Sequence, residues 1–382
     1  MATVRKREWQ SGGKTKSAWV ATYSDQDGKR RIKTFETKKA ANEWLAQTQH
    51  EVKQGIHTPE RSSITVAAAG EMWVEQAVTD GLEASTVRQY RQHLDLHIKP
   101  FIGRLKLAEL APASVQSFRN ELICEGRSRV MATKVVGSLG SILATAMSAG
   151  KVSRNVVREQ ARQHGARHRR IEKRHDKRLE VGVNIPTKNE LRALLTRAKD
   201  RWRPLVVTAI FTGLRASELR GLTWDDVDLE RAVLRVRQRA DRWNAIGSPK
   251  SDSGKREVPL APMVVNTLRE WKAACPAGEM KLVFPTGAGT VESLSNIHRR
   301  GLGGLQKAAG ISVDEAHPKY GLHSLRHAAA SLFIEQGFSP KRVQALMGHS
   351  TIQVTFDTYG HLFPAPDEDQ DAMRRLQTRL VG

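Results

Sequence analysis

The chain has 382 residues, with 62 Lys and Arg against 40 Asp and Glu, for a net charge of +22. That length exceeds one ordinary core and points to two or three domains, while so much uncompensated positive charge calls for a polyanionic partner, nucleic acid first. Two widely separated cysteines, Cys124 and Cys275, argue against a disulfide framework and fit a reducing, cytoplasmic compartment. No apolar run reads as a membrane span, and the basic opening MATVRKREWQ lacks the apolar segment a signal peptide needs.

Residues 1–57 read as a small β-β-β-α unit. SAWVATY alternates as a strand, DQDG carries an Asp-Gly turn, and KRRIKTF returns. Thr37 then suits a helix N-cap, Trp44, Leu45 and Val52 form an apolar stripe, and Gly55 suits the stop. A basic sheet of this kind can lie in a DNA groove, although solvated strand faces also look this way. HTPERSS reads as a linker.

Residues 64–150 are predicted helical. Ser85 is the expected cap of a helix that carries Val87, Tyr90, Leu94 and Ile98 on one face and is ended by Pro100 and Gly103. ASVQSFRNELICEG and TKVVGSLGSILATAMSAG repeat the pattern. No residue set here reads as a catalytic site. Residues 151–183 form a basic connector whose first thirty positions hold 11 Lys/Arg and 4 Asp/Glu, suited to lying along a phosphate backbone. His164, His168 and His175 within it lack the carboxylates or cysteines that would complete a metal site.

Residues 184–382 are predicted mainly helical with a small antiparallel sheet, in which AVLRVRQR and GKREVPL are strands separated by the polar stretch ADRWNAIGSPKSDS. The whole chain is therefore expected to be multidomain α+β. Near its end, Met373, Leu376 and Leu380 make a short apolar stripe at helical spacing.

Four segments of this last domain carry chemistry. In TGLRASELRGLTWDDVDL, Gly213 breaks an apolar helix, and Arg215 and Glu218 follow on one face of a new turn. SPKSDSGKREVPL presents Lys250 at the start of a strand, GLHSLRHAAAS sets His323 and Arg326 one turn apart, and LMGHSTIQVTFDTYGHLF places Tyr359 ten residues after His349. Singly these are weak signals: an Arg-x-x-Glu pair is usually a surface ion pair. In this order and spacing they resemble the signature of the tyrosine recombinases, the phage-integrase family, across the whole last domain. TVRQYRQHLDLHIKPFIGRLKLAEL is similar to that family's core-site-binding domain, and the N-terminal unit is similar, more loosely, to the arm-binding domain of lambda-type integrases.

These residue types suit phosphodiester chemistry. Extra negative charge develops on the non-bridging oxygens in the transition state, so positioning and electrostatics do most of the catalysis. Arg215 and Arg326 can grip phosphate oxygens through planar forks that stay charged. His349 can donate a further bond, and His323 is the expected acceptor of the Tyr359 proton. The resemblance implies that Tyr359 is the nucleophile, Lys250 the general acid, with Lys255 close by as the alternative, and Glu218 a supporting residue. His327 and His361 also match family positions, but structural hydrogen bonding is the better expectation for them.

The resemblance further implies a covalent 3′-phosphotyrosyl intermediate that conserves the energy of the broken bond. No cofactor, metal or ATP is expected, and neither a phosphate-binding glycine loop nor a carboxylate cluster is present in the sequence. It implies a homotetramer on two synapsed DNA duplexes bearing core and arm sites. The apolar tail stripe would then dock on the adjacent subunit, and a directionality factor or host DNA-bending protein could assist. Two other readings stay open: a type IB topoisomerase, which shares the tyrosine chemistry, and a DNA-binding regulator that has lost catalysis.

Overall fold

The computed structural model describes residues 2–12, 14–25, 28–53, 63–163, 179–249, 251–312, 317–363 and 369–381. They fall into two compact units, Met1–His175 and Asp176–Gly382. Gly55, most of the HTPERSS linker, the three connector histidines and Lys250 lie outside the described residues.

The first unit begins with an antiparallel sheet in the order β1 (Thr3–Ser11), β2 (Lys14–Ser24), β3 (Arg30–Phe35). Asp25 closes the β2–β3 turn by accepting from the Lys29 N–H at 2.8 Å and the Arg31 Nε–H at 2.7 Å. Strand alternation sends Ala21, Tyr23 and Phe35 to one face, where they pack on Trp44 and Leu45 of the Lys38–Lys53 helix. The helix starts where expected, with Thr37 Oγ1 accepting from the Ala40 N–H at 3.2 Å. By the same alternation Arg5 and Arg7 stand on the opposite face, paired in register with Val20 and Ala18.

The remainder of this unit is a helical bundle built from helices Val66–Thr79, Ala84–His93, Pro112–Cys124, Arg129–Ser148 and Val156–Gln163. Its core joins Val66, Trp73, Leu94, Ile98, Phe118, Leu122, Leu139 and Leu143. Two expectations are corrected. Glu83, not Ser85, occupies the N-cap of the Ala84–His93 helix; Ser85 lies in the first turn and its hydroxyl turns back to the Glu83 carboxylate at 3.3 Å. The chain does hold one described helix with the length and hydropathy of a membrane span, Arg129–Ser148, at 20 residues. Its apolar side chains Ala132, Val135, Leu139, Ile142 and Leu143 are spent on the bundle core.

In the second unit the helix Trp202–Thr212 is buried almost all round, which an apolar sequence without a polar face requires. It packs on Leu322–Glu335 and on Pro262–Ala274. A short sheet, β4 (Val227–Asp228), β5 (Val233–Val236) and β8 (Arg256–Pro259), pairs Leu234 with Val258 and adds both to this core. The polar stretch between β5 and β8 was read only as a separator of the two strands. Instead it folds back as a hairpin, β6 (Arg239–Ala240) with β7 (Ile246–Gly247), because Asn244 adopts a left-handed φ of 68° and Asp241 Oδ1 accepts from the Trp243 and Ala245 N–H groups. The tail helix Asp369–Val381 exposes Met373, Leu376 and Leu380.

Leu139 is fully buried at the centre of the bundle. Leu139→Ala should therefore destabilise the first unit by about 2–5 kcal/mol, read as a lower urea midpoint, while a substitution at the exposed Val130 of the same helix should leave the midpoint within error.

Candidate active site

The site forms around the end of the Pro340–Met347 helix. Gly348 stops that helix in the left-handed conformation, φ +63°, and a Cβ there would meet Arg256 Nη1 at 2.8 Å and the Ser253 carbonyl at 3.0 Å. Glycine is required on both counts. The stop leaves three consecutive carbonyls without helical partners, and three arginines from three other elements take them. Arg256 of β8 donates its Nε–H to Leu346 O at 2.7 Å, Arg326 donates to Met347 O, and Arg215 donates to Gly348 O at 2.7 Å.

Glu218 ties two of these arginines together. Its carboxylate accepts from Arg215 Nη1 at 2.7 Å and the Arg215 backbone N–H at 2.8 Å, and from Arg256 Nη1 and Nη2 at 3.1 and 2.9 Å. Burial alone would raise its pKa, but the Arg256 hydrogen bonds and charge, with Arg215, hold it down at about 2. The guanidinium donors then divide unequally. Arg256 uses four of its five N–H groups, the fourth on Gly254 O at 3.0 Å. Arg215 engages Glu218 and Gly348, and Arg326 engages Gly213 O at 2.6 Å and Met347 O, so among the described residues each keeps three N–H groups for another acceptor.

Tyr359 closes the Ile352–Tyr359 helix and is 1% exposed. Its hydroxyl lies 2.8 Å from His327 Nδ1, and its ring stacks on His349 at 6.1 Å between centroids with a 15° tilt. His349 is in turn held by Thr355 Oγ1, 2.9 Å from its Nδ1. His323 meets the His327 ring edge-on, 4.5 Å between centroids. Burial pushes the phenol up to about 12, against the opposing pull of the Arg326 and Arg215 charges. Burial pushes His327 and His349 down to about 4, helped by neighbouring cations and imidazoles, and moves His323 in the same direction. Arg326 falls to about 10, through burial first and the Arg215 charge second, and stays protonated at neutral pH.

Five of the six residues singled out in the sequence, Arg215, His323, Arg326, His349 and Tyr359, thus converge here; Lys250 lies outside the described residues. Lys255, the alternative acid, is exposed and immediately precedes Arg256. His361 bonds the Leu179 carbonyl at 2.8 Å, the structural role expected of it. Two participants were missed. Arg256 went unmarked because a lone arginine in a strand has no local signature, although its place two residues before Val258 in KREVPL puts it on the same, inward face of the strand as that core residue. His327 was set aside as structural, yet it and not His323 holds the phenol. Its one-turn-plus-one spacing from His323 was the available signal.

Residues 185–365 match the phage integrase family, and residues 65–123 match the phage integrase N-terminal SAM-like domain. The putative prophage phiRv2 integrase of Mycobacterium tuberculosis is 27% identical over 371 residues, 91% of this chain and 88% of that protein. The tyrosine recombinase XerC of Xylella fastidiosa is 32% identical over 180 residues, 47% of this chain and 52% of that protein. Among solved structures, the Tn1549 transposon integrase in complex with a circular intermediate DNA superposes with a TM-score of 0.65 at 21% identity, covering 82% of this chain and 100% of that one. A lambda integrase tetramer bound to a Holliday junction gives 0.55 at 19%, covering 87% and 93%. These last two likenesses establish the fold. The chain belongs to the phage integrase family of tyrosine recombinases.

The Glu218 pairing sets an acid dependence. A carboxylate held at about 2 against an ordinary 4.5 stabilises the fold fully above pH 4.5, and that contribution, about 3 kcal/mol, is lost as pH falls toward 2. Glu218→Gln should flatten this part of the stability-versus-pH curve and, by leaving Arg256 uncompensated, lower stability at pH 7 by about 3 kcal/mol or more. Denaturant titrations at pH 3 to 7 measure both.

Proposed function

We propose that this protein is a site-specific DNA recombinase, an integrase that cuts and rejoins DNA through a 3′-phosphotyrosyl intermediate and moves a phage or other mobile element into, and out of, a chromosome. The observation that carries the reading is the convergence of Arg215 and Arg326, with N–H groups to spare, on the same pocket as a phenol buried between His327 and His349. A topoisomerase would use the same chemistry. The matches to integrases along about nine-tenths of the chain favour recombination.

In this reading the scissile phosphate bridges the free donors of Arg215 and Arg326, which neutralise the charge that grows on the non-bridging oxygens. Arg215 is 38% exposed at its side chain and Arg326 is buried, so the phosphate meets Arg215 first. His349 donates an additional bond, Tyr359 attacks phosphorus, and Lys250 protonates the departing 5′-oxygen. Because Tyr359 is covered, cleavage requires DNA binding to open the wall around the Ile352–Tyr359 helix.

The other parts of the chain extend this assignment. Residues 1–57 serve as an arm-type DNA-binding domain through the basic sheet face carrying Arg5 and Arg7, residues 64–150 bind the core site, 151–183 follow the phosphate backbone, and 184–382 are the catalytic domain. The partner is double-stranded DNA, and the protein works as an oligomer, which we take to be a homotetramer on synapsed sites. The exposed Met373, Leu376 and Leu380 dock on the next subunit in that assembly, and a directionality factor or host bending protein assists excision. The reaction takes place in the cytoplasm.

A nicked duplex that traps the cleaved strand should yield a covalent protein–DNA adduct that persists in EDTA and is absent from Tyr359→Phe. No adduct on the cognate site would leave a DNA-binding regulator as the answer. Deleting residues 370–382 should abolish synapsis while leaving single-duplex binding within about twofold; normal synapsis would refute the docking role of the tail.

A further inference from the structure

We propose that His327, not His323, is the group that takes the proton from Tyr359 during strand cleavage and returns it during rejoining. This deepens the recombinase reading above and rests on it. The argument is geometric. The two ring nitrogens of a neutral imidazole are one donor and one acceptor, and the phenol, with a single proton to give, lies 2.8 Å from His327 Nδ1. With the imidazole proton on Nε2, Nδ1 is left as the acceptor and the phenol donates. The two rings meet edge-on, 5.7 Å between centroids and 64° between planes.

The other imidazoles are placed for other work. His349 faces Tyr359 ring on ring, and its Nδ1 is taken by Thr355. His323 contacts the edge of His327 and is the more exposed of the two. His327 is therefore the imidazole already bonded to the reacting atom.

The charged surroundings explain why this base stays silent without DNA. His323 and Arg326 act on it from its own helix, Tyr359 bonds it, and the same pocket holds His349, Arg215 at the N-cap of the Ala216–Gly221 helix, Glu218 within that helix, and Arg256 on β8. Their summed positive charge opposes an imidazolium. A bound phosphodiester contributes negative charge to the same pocket and removes that opposition. In the cleavage step the phenolic O–H bond breaks and its proton passes to His327 Nδ1, the Tyr359 Oη–P bond forms, and the P–O5′ bond breaks. The 5′-oxygen leaves with a proton from the general acid assigned to Lys250. Rejoining runs each transfer backwards, so no proton or electron is gained or lost over a cycle.

The test compares His327→Ala and His327→Asn with Tyr359→Phe and Lys250→Ala in single-turnover adduct formation on a nicked cognate duplex. It is repeated with a 5′-bridging phosphorothiolate, whose thiolate leaves without needing a proton. Both His327 variants should bind the duplex within about twofold of wild type and form adduct about a hundredfold more slowly or worse, the usual worth of a general base. The phosphorothiolate should rescue Lys250→Ala and should not rescue either His327 variant. Wild-type rates in His327→Asn, which keeps a polar atom near Nδ1 without basicity, would overturn the inference and leave the ring a positioning group. Rescue of the His327 variants by the phosphorothiolate would also overturn it, by moving the ring to the leaving group. Adduct formation by Tyr359→Phe would sink the nucleophile assignment along with it, whereas an inert Tyr359→Phe beside a fully active His327→Asn removes only the present proposal.

Discussion

Three arginines drawn onto the last carbonyls of one short helix are the contact on which the rest of the second unit depends. The C-terminal end of a helix carries partial negative charge and unpaired acceptors, and the Pro340–Met347 helix presents Leu346, Met347 and Gly348 in sequence to Arg256, Arg326 and Arg215. Guanidinium groups from β8, from the Leu322–Glu335 helix and from the turn after Gly213 would otherwise repel one another. The helix end, with Glu218, is what makes their gathering tolerable. Gly348 is the hinge of the arrangement, since any side chain there would press on Arg256 and the Ser253 carbonyl.

The same arrangement is incomplete electrostatically, and that incompleteness is functional. Three guanidiniums against one carboxylate leave the pocket positive, which adds to the burial that already depresses the neighbouring imidazoles, and among the described residues it leaves N–H groups of Arg215 and Arg326 without partners. An anion is the missing component. Burial raises the phenol and lowers His327, so passing the proton from one to the other is uphill in this arrangement. A phosphodiester in the pocket lowers that barrier from both sides, by satisfying the arginines and by favouring imidazolium. In the proposed reaction the chemistry is thereby tied to the DNA backbone, and the buried Tyr359 is kept from reacting elsewhere.

Much of this was legible in the sequence because the arginine, histidine and tyrosine positions sit next to strong local signals. Gly213 and Gly348 mark helix stops, Arg215 and Glu218 share a turn, and His323 and Arg326 are one helical turn apart. Strand alternation and helical periodicity were enough to read the β-β-β-α order and the helices that follow it. What escaped depends on contacts between distant segments. Arg256 acquires its role from Glu218 and Leu346, 38 and 90 positions away, which no local pattern records. His327 and His323 lie on the same helix with equal intrinsic suitability, and only the approach of the Ile352–Tyr359 helix decides which of them meets the phenol. The β6 and β7 strands were not read individually because polar turn residues conceal two strands of two residues each.

The most direct measurement is a structure of the Tyr359→Phe protein bound to its attachment-site duplex. The account predicts that Arg215 and Arg326 keep their bonds to Gly348 O and Met347 O while each turns its remaining N–H groups onto the scissile phosphate, with the residue 359 ring in line with the departing 5′-oxygen. A phosphate bound elsewhere, or arginines that reach it only by leaving the helix end, would contradict the central claim.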